Sequence, residues 1–150
     1  MVSKTRDKLI DVARQLFAHK GVENTTMNDI ASASDKGRRT IYTYFKSKRE
    51  IFNAVVRRET SIVVDRLSKL PSLPLPPEEK LINFIFIRFE AVKEVVGRNG
   101  SLRASFFMDV RRVERARRAN TGREVAILRQ ILQEGVDRGD FRIKHVDKAA

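Results

Sequence analysis

The chain has 150 residues, 41% of them apolar and 33% charged, which suits a globular protein of one or two small domains with a modest core. It has no cysteine, which excludes disulfides and thiolate metal sites, and neither a membrane span nor a secretory apolar segment is legible in it. The net charge of +12 points to a polyanionic partner, nucleic acid above all, but does not locate the contact: residues 1–50 hold 11 Lys/Arg against 6 Asp/Glu and residues 77–150 hold 16 against 11, the same excess.

In chain order, the first predicted helix runs from Lys4 to Lys20. Leu9, Ala13, Leu16 and Phe17 form one apolar stripe with Ile10 and Val12 at its margins, and Gly21 stands where a terminating glycine belongs, followed by Val22. Thr26 with Asp29 makes an approximate capping box for a second, short helix whose inward residues are Ile30, Ala31 and Ala33. Ser34, Asp35, Lys36 and Gly37 break the pattern, and of these Gly37 is the residue expected to take a positive φ. A third helix follows with Ile41 and Phe45 inward, leaving Arg38, Arg39, Thr40, Tyr42, Thr43 and Tyr44 on its other face. Ser47 and Glu50 form a capping box for a long fourth helix over residues 48–70, carrying Ile51, Phe52, Val55, Ile62, Val63 and Leu67. Helix, tight turn, then a helix that presents Arg, Thr and Tyr is the layout of a helix-turn-helix DNA reader.

The stretch PSLPLPP, residues 71–77, has four prolines in seven residues and reads as a stiff extended connector between helices rather than an SH3-type ligand. Pro77, Glu78 and Glu79 start a helix that is apolar nearly all round through Val96, so burial on most sides is expected. Gly97 and Gly100 end it. Ser101 is placed to cap a helix containing Phe106, Phe107 and Val113, which ends in a basic run from Arg111 to Arg118 read as a solvated face. Thr121 and Glu124 form another capping box, opening a last helix with Val125, Leu128, Ile131, Leu132 and Val136 on one face. The fold class is all-α.

Many correctly spaced positions of the head resemble the N-terminal DNA-binding domain of the TetR family of transcriptional regulators. They are Thr5-Arg6, Ala13, Leu16-Phe17, Gly21, Thr25-Thr26, Ile30-Ala31, Thr40-Ile41-Tyr42, Tyr44-Phe45, Lys48 and Ile51, and LRQILQEGVDRGDFR at residues 128–142 is similar to a segment of the family's second domain. Family members usually carry Ala-Gly-Val-Ser where this chain has Ser34-Asp35-Lys36-Gly37, so a reshaped turn is expected. Members also continue into two further helices that pair the dimer, and this chain stops near where the first would begin, so a truncated sequence is expected.

The resemblance implies a helix-turn-helix head over residues 1–47, joined by a long helix to a helical effector-binding and dimerisation domain over residues 48–150. It implies that Arg38, Arg39 and Thr40 face the major groove, that Thr43 touches a thymine methyl or a phosphate, and that Tyr42, Tyr44 and Lys48 hold the DNA backbone, with Lys46 and Thr26 as further phosphate contacts. Phe84, Phe86, Phe89, Phe106, Phe107 and Met108 are the residues expected at a small-molecule pocket. The expected protein is a cytoplasmic, homodimeric one-component regulator, a repressor released by an unidentified effector from a near-palindromic double-stranded operator. A helical protein-interaction module, or an activator of the same fold, is the alternative. No carboxylate pair, phosphate loop, nucleophile constellation or metal-ligand spacing suggests an enzyme, a cofactor or a metal, and His19 and His145 stand far apart without ligand spacing.

Overall fold

A computed structural model describes residues 3–100 and 110–150. Among them the helices are α1 (Lys4–Lys20), α2 (Met27–Ala33), α3 (Arg38–Tyr44), α4 (Lys48–Leu67), a 3-10 turn (Leu70–Ser72), α5 (Pro77–Arg98), α6 (Val110–Asp137) and a short α7 (Val146–Ala149). The expected Ser101-capped helix start, with Phe106, Phe107 and Met108, lies outside the described residues.

Two compact units divide the chain. One is Met1–Glu59 with Val96–Ala116, the other Thr60–Val95 with Arg117–Ala150. The core of the first gathers Leu9, Ile10, Ala13 and Phe17 of α1, Ile30 and Ala31 of α2, Ile41 of α3 with Phe45 just past it, and Ile51, Phe52, Val55 and Val56 of α4. The first turns of α4 therefore complete the core of the head. The core of the second is built from Val63, Val64, Leu67, Leu70, Phe84, Ala91, Val95, Ile127 and Ile131.

Side chains close the helix ends of the head. Ser3 caps α1 by accepting from the Arg6 N–H at 3.2 Å. At the other end Gly21 has φ 87 and ψ 155, a conformation open essentially to glycine alone and outside the left-handed helical well that a terminating glycine usually fills. The last carbonyls of α1 are taken by Asn24, which donates to the Lys20 carbonyl at 2.9 Å, and by the buried Thr25, which donates to the Gly21 carbonyl at 2.8 Å. Thr26 and Asp29 form the full reciprocal box, both bonds at 3.0 Å. Asp29 also accepts from Lys20 Nζ at 3.1 Å, tying α2 to the end of α1. The Thr26 N–H first, then Lys20 and the Thr26 hydroxyl, hold the Asp29 carboxyl below the usual carboxylate range.

The turn between α2 and α3 departs from expectation. Asp35, not Gly37, takes the positive φ, at 56. Gly37 is extended, with φ −78, and serves as the N-cap of α3. The left-handed residue thus stands where the family pattern places its glycine, with an aspartate in that seat, a residue type that tolerates the conformation better than most. Ser34 rather than Ala33 fills the inward position: it is fully buried, donating to the Ile30 carbonyl at 2.7 Å, while Ala33 and Lys36 are exposed. A buried hydroxyl satisfied by its own helix costs little, which periodicity read on apolar residues alone does not register.

In the second unit three expectations are corrected. The proline stretch is not extended throughout: Pro71 sits inside the 3-10 turn, because its fixed φ suits that helix as well as an extended chain. The nearly buried Lys80 donates to the Pro71 carbonyl at 2.6 Å and pairs with Glu134 at 2.8 Å, pinning the turn. Thr121 and Glu124 open no helix, for α6 runs unbroken past them, and Glu124 is instead held by Arg88 at 3.0 Å. A capping pair starts a helix only where the chain leaves helical φ and ψ, and the flanking residues give no reason to do so. Finally, α5 is buried on one side only. Ile82, Ile85, Phe86, Phe89 and Val96 are exposed.

After α6, Gly139 takes φ 80 and the Asp140 and Phe141 N–H groups return to the Gly135 carbonyl at 2.8 and 3.0 Å. This folds the Phe141 ring onto Gly135, where any Cβ would fall within the ring's own carbons.

Three outcomes test these features. By thermal denaturation, Asp35→Gly should raise stability by up to about 1 kcal/mol and Asp35→Val should lower it by about 1–2 kcal/mol, while Gly37→Ala stays near neutral. Gly135→Ala should cost about 1–3 kcal/mol by overpacking against Phe141. Because the folded pKa of Asp29 lies below its unfolded value, its contribution is complete above the ordinary carboxylate pKa and fades as pH falls through the folded value. The stability gap between the parent and Asp29→Asn should therefore narrow from neutral pH toward about pH 3. A constant gap would contradict the assignment.

Candidate nucleic-acid interface

The face of α3 is set by what the helix buries. Ile41 is 0% and Phe45 3% exposed, and four residues apart they pin one side of the helix to the head core. Residues between and before them must then point outward. Arg38, Arg39, Tyr42, Thr43 and Tyr44 are exposed and Thr40 half-buried.

The electrostatics of this face are unusual for a helix start. Arg38 and Arg39 lie in the first turn with no acidic residue there, and Gly37 supplies no side-chain cap. Cations at a helix N-terminus oppose the backbone dipole, so local stability argues against them. Neither has a carboxylate partner among the described residues. The Arg38 guanidinium lies 5.4 Å from the Tyr42 ring centroid, a cation–π contact that holds the pair together on the surface. Two uncompensated guanidiniums at an uncapped helix start are what an external anion, or an acceptor-rich base edge, would complement.

Around them the neighbouring groups are partly committed. Thr43 donates to the Arg39 carbonyl at 2.9 Å, so its oxygen retains only acceptor capacity and its methyl. The Tyr44 hydroxyl receives the Ser3 hydroxyl at 3.4 Å, and the Arg6 guanidinium covers the Phe45 ring at 5.2 Å, so the start of α1 supports the end of α3. Sequence does not mark Ser3 and Arg6 as neighbours of this face. Ser3 is recognisable there as an N-cap, but its proximity to Tyr44 is a product of the fold. Thr26 accepts from the Asp29 N–H within the α2 box, and its hydroxyl also supports the Asp29 carboxyl, so the side chain is committed to the head.

Lys48 is half-buried and donates to the Val22 carbonyl at 2.9 Å, fastening the loop after α1 to the start of α4. Lys46 is exposed, and its N–H donates to the Glu50 carboxylate at 2.7 Å while the Ser47 hydroxyl accepts from the Glu50 N–H at 3.3 Å. The Ser47–Glu50 box forms with its carboxylate one residue further back than the standard pattern.

The expected small-molecule pocket is only partly assembled by the described residues. Phe84 lines a cavity of about 170 Å³ with Arg88, Arg117, Thr121, Glu124, Val125 and Leu128. Phe86 and Phe89 are 64% exposed and do not line it. Two and five residues beyond Phe84, they fall on the opposite side of a helix with 3.6 residues per turn.

Comparison with known proteins agrees with this geometry. The description "Bacterial regulatory proteins, tetR family" matches residues 9–55, from α1 into α4. The HTH-type transcriptional repressor KstR2 of Mycolicibacterium smegmatis is 30% identical over 142 residues, covering 91% of this chain and 67% of that protein. A TetR/AcrR-family regulator from Thermobifida fusca shares the fold, with a TM-score of 0.76 over 98% of this chain and 78% of its own, at 24% identity. The TetR-family regulator PfmR of Thermus thermophilus aligns with a TM-score of 0.68 at 27% identity, over 99% of this chain and 80% of its own. These relatives are transcriptional regulators, not enzymes, and all three are longer than the part this chain covers. With the head matched over nearly its whole length and the likeness to KstR2 running through most of both units, this chain belongs to the TetR family of bacterial transcriptional regulators.

Proposed function

We propose that the chain is a one-component repressor that binds double-stranded operator DNA as a homodimer and leaves it when a small molecule binds the helical regulatory domain, residues 48–150. The observation that carries the DNA-binding part is the outward face of α3, where Arg38 and Arg39 stand without carboxylate partners among the described residues, beside Thr40, Tyr42 and Thr43. In this reading Arg38, Arg39 and Thr40 enter the major groove, where an arginine makes a bidentate contact to guanine O6 and N7. Tyr42, Tyr44, Lys46, Lys48 and Thr26 hold the phosphate backbone and set the register.

A homodimer places two α3 helices in successive major grooves of a near-palindrome, about one helical turn apart. Repression follows the name of the KstR2 relative. The effector's seat is proposed around Phe84, in the cavity it shares with Arg88 and Glu124, whose ion pair supplies polar atoms in an otherwise mixed lining. An effector shifts operator affinity only by as much as it prefers the DNA-free state. Among the described residues no helix is long and apolar enough to cross a membrane; the proposed site of action is the cytoplasm.

The reading is tested by selecting bound sequences from random duplex DNA with the full chain, then titrating the enriched site at several salt concentrations. A palindromic site is expected. Arg38→Ala should weaken binding by about 1–3 kcal/mol and relax preference at one base pair of each half-site. Lys46→Ala should weaken all sequences alike and lower the salt slope by about 1 for each phosphate left without its lysine. No enriched sequence, or an Arg38→Ala variant with unchanged affinity, would overturn the reading.

A further inference from the structure

The outward face of α3 continues past the end of the helix. Within the first unit Ser3 meets the Tyr44 hydroxyl at 3.4 Å, and one turn further along α1 the Arg6 guanidinium lies 5.2 Å from the Phe45 ring centroid. Arg6 is half-buried, and apart from that ring its guanidinium has no partner among the described residues. It bonds no carbonyl at the end of α3 and pairs with no carboxylate. A guanidinium placed there only to close the helix would donate to those carbonyls. Its side-chain N–H donors are instead held in place over an aromatic ring and left unspent.

Arg6 also lines a cavity of about 410 Å³ between α1 and α4, together with Arg57, Arg58 and the buried Ile10 and Ala54. Arg58 is tied down at this place, donating to the Asp7 carbonyl at 3.2 Å. Three arginines line the cavity against one acid, Asp7, which stands in the first turn of α1 where the helix dipole already favours a carboxylate. We infer that this cavity is an anion site and that its occupant is a DNA phosphate flanking the half-site, held by Arg6. The occupant is argued from continuity. A duplex seated on α3 presents a row of phosphates, and the strand that passes Tyr44 meets Arg6 next, because Ser3 and Phe45 set the two side by side. The guanidinium fork matches paired phosphate oxygens, and such a contact fixes position without reading sequence. The inference rests on the operator-binding reading above and extends the backbone clamp from α3 onto α1.

Phosphate ethylation interference and salt titration on the selected operator, with the full chain, test it. Far-UV circular dichroism and thermal melting check that each variant is folded. Arg6→Met keeps an aliphatic cover on Phe45 and removes the charge. It should lose interference at one phosphate outside each half-site and weaken binding about tenfold per half-site at about 0.1 M salt, the difference closing toward about 1 M. The salt slope should fall by about 1 per half-site with base preference unchanged, and Arg6→Lys should keep most of that slope. Arg6→Gln carries the same expectation should Arg6→Met not fold. Affinity lost by the same factor at every salt concentration would make Arg6 only a prop for Phe45 and overturn the inference, as would an unchanged interference pattern. Either result leaves the reading of α3 standing where Arg38→Ala still relaxes base preference. Failure of the parent to select any sequence would overturn both.

Discussion

The orientation of α3 hangs on the burial of Ile41 and Phe45. A helix of seven residues has too few internal hydrogen bonds to hold itself, so it exists because those two side chains dock into the core made by α1, α2 and the start of α4. Each is worth on the order of 2 kcal/mol of transfer free energy. That docking also fixes rotation. A turn of the helix about its axis by one residue, about 100°, would carry Arg38 and Arg39 away from solvent and bring charge into the core. The chemistry of the outward face is therefore a consequence of an apolar constraint on the inward one.

Charge is distributed accordingly. Several carboxylates steady helices by pairing: Asp29 with Lys20, Glu124 with Arg88, Glu134 with Lys80, and the buried Glu59 with Arg98 at 2.9 Å and Asn99 at 2.9 Å. The start of α3 is treated differently. Its two arginines oppose the helix dipole and receive no acid, a local cost of a few tenths to about 1 kcal/mol each that folding alone would not select. A basic chain with a net charge of +12 has many cations to offer a polyanion, but this pair is adjacent, set against the dipole and backed by a fixed helix. Net charge says that a polyanion is expected; the placement of Arg38 and Arg39 is what the proposed location rests on.

How much of this is legible in the sequence depends on which physical signal a feature leaves. The head's helices leave two signals, apolar period and capping chemistry, and where both agree, as at Thr26–Asp29 and Ile41–Phe45, the structure follows the sequence. The turn is harder to read because glycine is the default occupant of a left-handed seat. An aspartate can hold that conformation at modest cost, which frees Gly37 to serve as an N-cap instead. The Thr121–Glu124 pair misleads for a related reason: a cap motif is permissive, and only a break in helical conformation activates it. Phe84 lines a cavity while Phe86 and Phe89 do not, because a helix rich in apolar residues on every side hides which of them belong together.

That last ambiguity has a physical origin. Hydrophobic patterning states that a face is to be kept from water, and it carries no information about what keeps it so. In α5 one side is met by α4 and α6 residues of the same unit, Val64, Leu67, Ile127 and Ile131. The other side obeys the same periodicity with no described neighbour. From sequence the two sides are indistinguishable, and together they read as a helix buried all round. What separates them is packing: Phe84, Ala91 and Val95 join the core of the unit, while Ile82, Ile85, Phe86 and Phe89 stay exposed, and no local propensity or period distinguishes the two sets.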